Sequence, residues 1–351
     1  MPISADLTSH VAEGRRLADD EIAELAATHD IISLGMLADE ARRRRHGPRT
    51  TFVRVATVPA ETGATPAWPA AAGEIRILGV PADRKSAIDR VEEISARAQG
   101  TPVSGFSLGD LEQIAAVDGV TLRSVLEDLR GAGLELVAEA AFDRLQDPRR
   151  SIEEVNIAGL TLARLTIHQL PSTDVTSLFK RVAAVQYGVA VIRAFVPLPR
   201  TLNPAVPTTG YDDVKRVALA RLIVDNVPSI QVDWSLYGPK MAQVTLTVGA
   251  DDVDGVSAED NTGDGRRRAP LEEIRRNIRA VGQDPVERNG RFEVIHGPAG
   301  DDPADGLRQG YDGPPIRLRQ GYVEPAEVSA EAGAQPKAEA GRHGPLDVPH
   351  E

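Results

Sequence analysis

Cysteine is absent from all 351 residues. Its absence excludes disulfides, thiolate-based zinc sites and a cysteine nucleophile. It also removes the ligand that ordinarily holds an iron–sulfur cluster. Aromatic residues make up only 4%, so a core has to be assembled from Val, Leu, Ile and Ala. Basic residues are outnumbered 40 to 52, for a formal charge of −12. Such a chain lacks the general basic face that phosphate contacts need, so neither nucleic acid nor an anionic membrane is expected as a partner. No run reaches the roughly 18 apolar residues of a membrane span. The N-terminal MPISADLTSH lacks the basic-then-apolar pattern of a signal peptide. A cytoplasmic location follows as the default. There is no P-loop or H-E-x-x-H, and the seven histidines have no metal-ligand spacing, so no metal site is expected.

What the chain does contain is alternation. Short β-branched runs fall at 51–58, 74–78, 102–106, 134–137, 161–167, 189–196 and 230–233, with helical patterns between most of them. Ser107 precedes Leu108, Leu111 and Ile114 as an N-cap. Thr121 precedes Leu122, Val125, Leu126 and Leu129, and Ser151 with Glu154 fits a capping box. Repeated strand–helix units of this length predict a parallel sheet, most simply a TIM-like (βα) barrel of the α/β class. An open doubly wound sheet is the alternative, but no G-x-G-x-x-G follows the first strand. One connection breaks the rhythm. PAETGATPAWPAAAG, 59–73, contains Pro59, Pro66 and Pro69, which forbid a regular helix. The first crossover helix is therefore expected to be lost. Its loss would leave apolar sheet open to a partner, so a complex is expected.

Three segments follow. Residues 1–49 read as a helical lead-in and 50–297 as the barrel with a closing helix and strand. Residues 298–351 read as a disordered tail rich in Pro, Gly and acidic residues. Two helices are expected between 19 and 45, the second capped by Ser33 and ending in Arg42, Arg43, Arg44 and Arg45. Those arginines either complement the negative end of the helix or form a patch for an anion or acidic partner. The tail carries LRQGY twice, at 307–311 and 318–322. The pair reads equally as a docking motif or a chance duplication.

Few residues carry candidate chemistry. Asp251, Asp252, Asp254 and Glu259 form an acidic group, read as lying just past a strand end, where barrels keep their active face. There the carboxylates would hold a divalent cation or ribose hydroxyls; otherwise they form a solvated loop. His168, at a strand end, is either a structural residue or a hydrogen-bonding or acid–base group. Gln231 reads as facing the barrel lumen, Trp234 as core or pocket wall, and Asn226 as ending its helix.

Four blocks resemble a known family. They are ISLGMLADEARRRRHGPRTTFVRV (Ile32–Val55), Glu74–Leu145 including VTLRSVLEDLRGAGL, RAFVPLPRTLNP (Arg193–Pro204), and ALARLIVDNVPSIQVDW with GPKMAQVTLTVGADDVDG (Ala218–Gly255). They are similar to the radical S-adenosylmethionine (SAM) enzymes of the futalosine route to menaquinone, aminofutalosine synthase above all and dehypoxanthine futalosine cyclase more weakly. The resemblance implies a radical-SAM-type barrel. The departures are specific. The family's C-x-x-x-C-x-x-C loop after the first strand is replaced by Pro59–Gly73. Its glycine pair after the second strand, near SAM, reads Leu78-Gly79-Val80. Its Gly-Gly-Ala-Glu run reads Val137-Ala138-Glu139-Ala140-Ala141, and its Tyr-Gly-His reads Ile167-His168-Gln169.

The chain is thus identified as a degenerate member. No cofactor is expected, because no cysteine is present for a [4Fe–4S] cluster and the SAM glycines are eroded. His168 and Glu259 are the catalytic candidates. Gly79, Gln231, Trp234, Asp251, Asp252 and Asp254 are the substrate-binding candidates. The function expected is a non-catalytic binding or partner subunit linked to menaquinone biosynthesis. The alternatives are an enzyme with non-radical chemistry in the same pocket, or one subunit of a two-chain radical enzyme. Partners would be a cysteine-bearing homologue, a second copy, or a small molecule.

Overall fold

A computed structural model describes residues 3–61, 63, 65–170, 174–201, 209–260 and 269–296. The expected tail and its LRQGY repeats lie outside these residues. The strands are β1 (Arg49–Pro59), β2 (Glu74–Leu78), β3 (Val103–Ser107), β4 (Leu136–Ala141), β5 (Thr161–Ile167), β6 (Ile192–Pro199), β7 (Ser229–Asp233), β8 (Asp252–Ser257), β9 (Asp284–Arg288) and β10 (Val294–His296). The first eight run parallel in sequence order, and β8 pairs back onto β1, closing a barrel. β9 runs parallel to the first half of β1, Arg49 to Val53, while β2 takes the second half, Val55 to Pro59. β9 therefore fills the edge beneath β2, at the N-terminal end of the barrel. There Gly73 donates to Arg54 O and accepts from Gly290 N, both at 2.9 Å. A Cβ on Gly73 would sit 2.9 Å from Arg288 O, so this junction requires glycine.

Helices α1 (Ala5–Glu13), α2 (Asp19–Ala27) and α3 (Ile31–His46) lead into β1. α4 (Arg84–Arg97), α5 (Leu108–Asp118), α6 (Leu122–Gly131), α7 (Pro148–Ile157), α8 (Val175–Val189), α9 (Gly210–Ile223), α10 (Trp234–Leu246) and α11 (Pro270–Ala280) follow in turn. α6 forms as the sequence predicts: the Thr121 hydroxyl accepts from Ser124 N, and Val125, Leu126 and Leu129 are fully buried. Two caps differ. α3 is capped by Asp30, which accepts from Ser33 N, so Ser33 is inside the helix. α7 is capped by Asp147 with Pro148 in its first turn, and Ser151 lies within it. In each case an aspartate three or four residues upstream is the stronger cap.

Residues 60–73 join β1 to β2 with no helix among those described. The sheet beneath is nonetheless covered. Phe52, Val58, Ile75 and Ile77 are at most 1% exposed. Trp68 and Ala72 of the connection pack on Ala56 and Ala258. Arg97 stacks 4.9 Å over the Trp68 ring. Arg90 of α4, wholly buried, donates to Pro59 O at 2.9 Å and Thr65 Oγ1 at 2.5 Å. The expected open apolar patch is thus closed by the chain itself, because a proline-rich segment still brings Trp and Ala side chains onto the sheet. No helix of the described residues is long and apolar enough to cross a membrane.

Candidate functional site

The interior of this barrel is charged. β2 reads Glu74-Ile75-Arg76-Ile77, and the two-residue period of a strand puts the isoleucines on one face and the charges on the other. The isoleucines join the apolar core. Arg76 donates to both oxygens of Asp254 in β8, at 2.8 and 3.0 Å, and to Glu74 at 2.7 Å. Arg164 of β5 reaches the same Asp254 carboxylate. β2, β5 and β8 are not neighbours in the sheet, so these contacts cross the lumen. Towards the N-terminal end, Asp252 accepts two hydrogen bonds from Arg288 at 2.7 Å, one from Gln231 Nε2 at 2.6 Å, and one from Thr51.

Burial alone would push the Asp254 carboxyl up. The Arg164 and Arg76 guanidiniums outweigh it and hold that carboxyl well below the usual range. Glu74 behaves likewise, burial opposing and Arg76 prevailing. Burial would lower Arg76, but Asp254 and Glu74 raise it well above its ordinary value. Each charge here is stable only because its partner is present.

The mouth, at the C-terminal strand ends, is looser. Arg200, directly after β6, bridges Asp233 at the end of β7 and Glu139 of β4, the latter at 2.9 Å. Asp233 also caps α10, accepting from Ser235 Oγ at 2.6 Å and Leu236 N at 3.1 Å. Asp110, in the first turn of α5, has its carboxyl raised by burial and by Glu139, with Arg144 opposing. Ser107, Asp110, Gln113 and Arg144 line an open cavity of about 620 Å³ between α5 and the connection after β4.

The residues singled out from the sequence separate in space. His168 follows β5 at the mouth, with its N–H on Asp143 at 2.6 Å and its ring 3.4 Å from the Thr201 hydroxyl. Glu259 is exposed just past β8, and its N–H donates to Ser257 Oγ at 3.1 Å. Gly79 follows β2 with φ 103° beside exposed Leu78 and Val80. Trp234 opens α10 and is 9% exposed. Gln231 faces the lumen and is buried. Asn226 lies beyond α9, donating to Ala183 O at 2.8 Å. Asp251, Asp252 and Asp254 are displaced from where the sequence put them. Residues 252–257 are themselves β8, so Asp252 opens a strand and Asp251 lies below it, at the end away from the mouth. Asp251 accepts from Ile230 N at 2.8 Å and from Arg221. The Asp and Gly in DVDGVS hide that strand, since both residue types are depleted in sheets. Sequence reasoning also missed Glu74, Arg76, Arg164 and Arg288 in the lumen, and Asp110, Glu139, Arg200 and Asp233 at the mouth. The available signal was a charge recurring at alternate positions within a β-branched run, which in a barrel points inward.

Comparisons with known proteins agree with this architecture. A family model described as the CofH/MqnC C-terminal region matches residues 198–300. An aminodeoxyfutalosine synthase of Thermus thermophilus is 26% identical over 82% of this chain and 95% of its own length. A cyclic dehypoxanthine futalosine synthase of Streptomyces coelicolor is 23% identical over 85% of this chain and 91% of its own. The crystal structure of methylornithine synthase superposes with TM-score 0.58 at 13% identity, covering 80% of this chain and 97% of that one, which speaks to the fold.

One expectation is overturned. The sequence led to the view that no cofactor is bound. The relatives and the barrel neighbour are radical SAM enzymes, which use a [4Fe–4S] cluster and SAM, and lack of cysteine alone does not exclude a cofactor. What does not fit is a cluster held by this chain's own thiolates. The chain has none, its β1–β2 connection is proline-rich, and no group of three or more His, Cys, Asp or Glu among the described residues is placed to hold a metal ion.

Proposed function

As a member of the aminofutalosine synthase and dehypoxanthine futalosine cyclase family that lacks the cluster cysteines, this chain, we propose, acts as a binding or partner subunit linked to menaquinone biosynthesis by the futalosine route. Its partner is a cysteine-bearing homologue. The observation that carries this reading is the charge pairing inside the lumen. Asp254, Arg76, Arg164, Asp252 and Arg288 are hydrogen-bonded to one another and are buried, leaving the mouth and outer surface for recognition. A thiolate-held cluster has to come from a second chain, because this one has no thiolate.

The test is co-purification from the native host under anaerobic conditions, with aminofutalosine formation measured with and without this chain. Recovery of a cysteine-bearing homologue, with activity that depends on both chains, is the expected result. Turnover by this chain alone would overturn it.

A second reading has one observation in its favour: Asp110, with its carboxyl raised, lies by Glu139 above an open cavity. A carboxyl that keeps its proton more readily than usual, at the edge of a cavity, is a candidate general acid. His168 and Glu259 are at the same mouth. Turnover of any ligand found by thermal-shift screening should then fall in Glu139→Gln or His168→Ala; unchanged rates in both would remove this reading.

A further inference from the structure

The lead-in helices reach the barrel through a turn that does not pack flat. α1 ends at Gly14, with φ 67°, and Arg15, Arg16, Leu17 and Ala18 carry the chain back into α2. Leu17 in the turn and Ile22 and Leu25 on one face of α2 are buried. Two contacts fasten the turn to α8. Lys180 pairs with Asp19 at 2.7 Å, and the Arg16 guanidinium lies 4.5 Å over the Tyr187 ring.

Between these contacts the turn, α8 and α9 enclose a cavity of about 410 Å³. That volume falls within the range of organic-ligand pockets, at its small end. One wall is Leu17 and Ile22, and the other is Ala183, Leu222 and Ile223. Ala18 and Ala183 keep the space open, since neither side chain extends past Cβ. The rim carries two cations in different states. Lys180 is engaged by Asp19. Arg16 makes no hydrogen bond or ion pair among the described residues. Stacking on Tyr187 uses the face of its guanidinium and leaves the in-plane N–H groups free. Asp225 does not line the cavity. Burial raises its carboxyl, with Arg16 and Arg45 opposing, and it accepts from Tyr187 at 3.3 Å.

We propose that this cavity binds a small amphipathic monocarboxylate. Its apolar body lies against Leu17, Ile22, Leu222 and Ile223, and its carboxylate takes the in-plane N–H groups of Arg16. A guanidinium fork matches a carboxylate through two parallel hydrogen bonds. A doubly charged phosphate ester fits less well, because Asp19 stands on the same rim and already holds Lys180. A bound carboxylate ties the lead-in turn to α8 and α9. The site shares no residue with the mouth, and the inference is independent of the partner reading.

The test uses the full chain, with sodium hexanoate and sodium octanoate as probes and 1-hexanol as the uncharged control. The expected result is a saturable rise in Tm of about 2 °C with a carboxylate at ten times its Kd, and a weaker effect of the alcohol. Arg16→Met keeps an apolar stem over Tyr187 but removes the fork. It should raise the carboxylate Kd about tenfold, the effect of losing a hydrogen bond to a charged group, and leave the alcohol unchanged. Ala183→Leu fills the cavity and should abolish the binding of both. Should that variant fail to fold, Ala18→Leu at the exposed wall should do the same. No saturable rise with either carboxylate overturns the proposal. So does binding that Arg16→Met and the cavity-filling variant both leave unchanged.

Discussion

The lumen and the mouth of this barrel use the same residue types to opposite ends. In the lumen, Arg76, Arg164 and Asp254 have side chains at most 8% exposed, and Asp254 takes hydrogen bonds from both arginines. At the mouth, Arg200 and Glu139 are about a quarter exposed, at 26% and 27%, and Asp110 carries a raised carboxyl. The lumen charges hold strands together; the mouth charges remain within reach of a ligand or partner. Residue type alone does not assign a role here. Burial and the completeness of pairing do.

The sharpest way to break that contrast is Asp254→Ala. It leaves Arg76 and Arg164 buried without their carboxylate and should cost about 3–5 kcal/mol in urea unfolding. A loss below about 1 kcal/mol, the range of an exposed pair, would mean the lumen admits water. Next, Arg90→Met removes the donors that pin Pro59 O and Thr65 Oγ1. It should cost about 2 kcal/mol and speed proteolysis within 60–73. Arg200→Ala should cost only about 1 kcal/mol, since its pairs are partly exposed, yet it should weaken any ligand or partner bound at the mouth.

pH separates the two regions by sign. Asp254 and Glu74 are held below their unfolded values, so they stabilise the fold above about pH 4, and that contribution is lost as pH falls towards their folded values. Asp110 is raised. It favours the fold below about pH 4, and the advantage is lost as pH climbs through its folded value. Asp254→Asn should therefore flatten the acid limb of the stability curve. The smallest effect is for Asp110→Asn, slightly more stable than the native chain at pH 7 and equal to it at pH 3, read by chemical denaturation.

Much of the fold was legible because it rests on local pattern. Val125, Leu126 and Leu129 behind Thr121 fix α6, and Pro59 at the end of β1 with Pro66 and Pro69 after it disfavours a helix before β2, where none is found among the described residues. β8 was not legible, because DVDGVS carries its lumen acids at alternate positions and no apolar alternation signals a strand. The mouth was partly legible. His168, Glu259 and Gly79 lie there, while Arg200, Glu139 and Asp110 were passed over because nothing local marks a charged residue as neighbouring another some 30 to 90 positions away.

The sequence by itself determined the parallel barrel, the missing crossover helix and the absence of a thiolate ligand, since periodicity, proline and composition act within a few residues of chain. Only the tertiary structure decided that Asp252 and Asp254 are paired inside the barrel, that Trp68 and Arg90 close the gap left by the lost helix, and that Arg45 of α3 reaches the Val227 carbonyl while Arg221 of α9 reaches the Asp251 carboxylate. Those outcomes depend on strands far apart in sequence meeting across a closed sheet. Whether a charge is stabilising, costly or available then depends on what faces it and how little water remains.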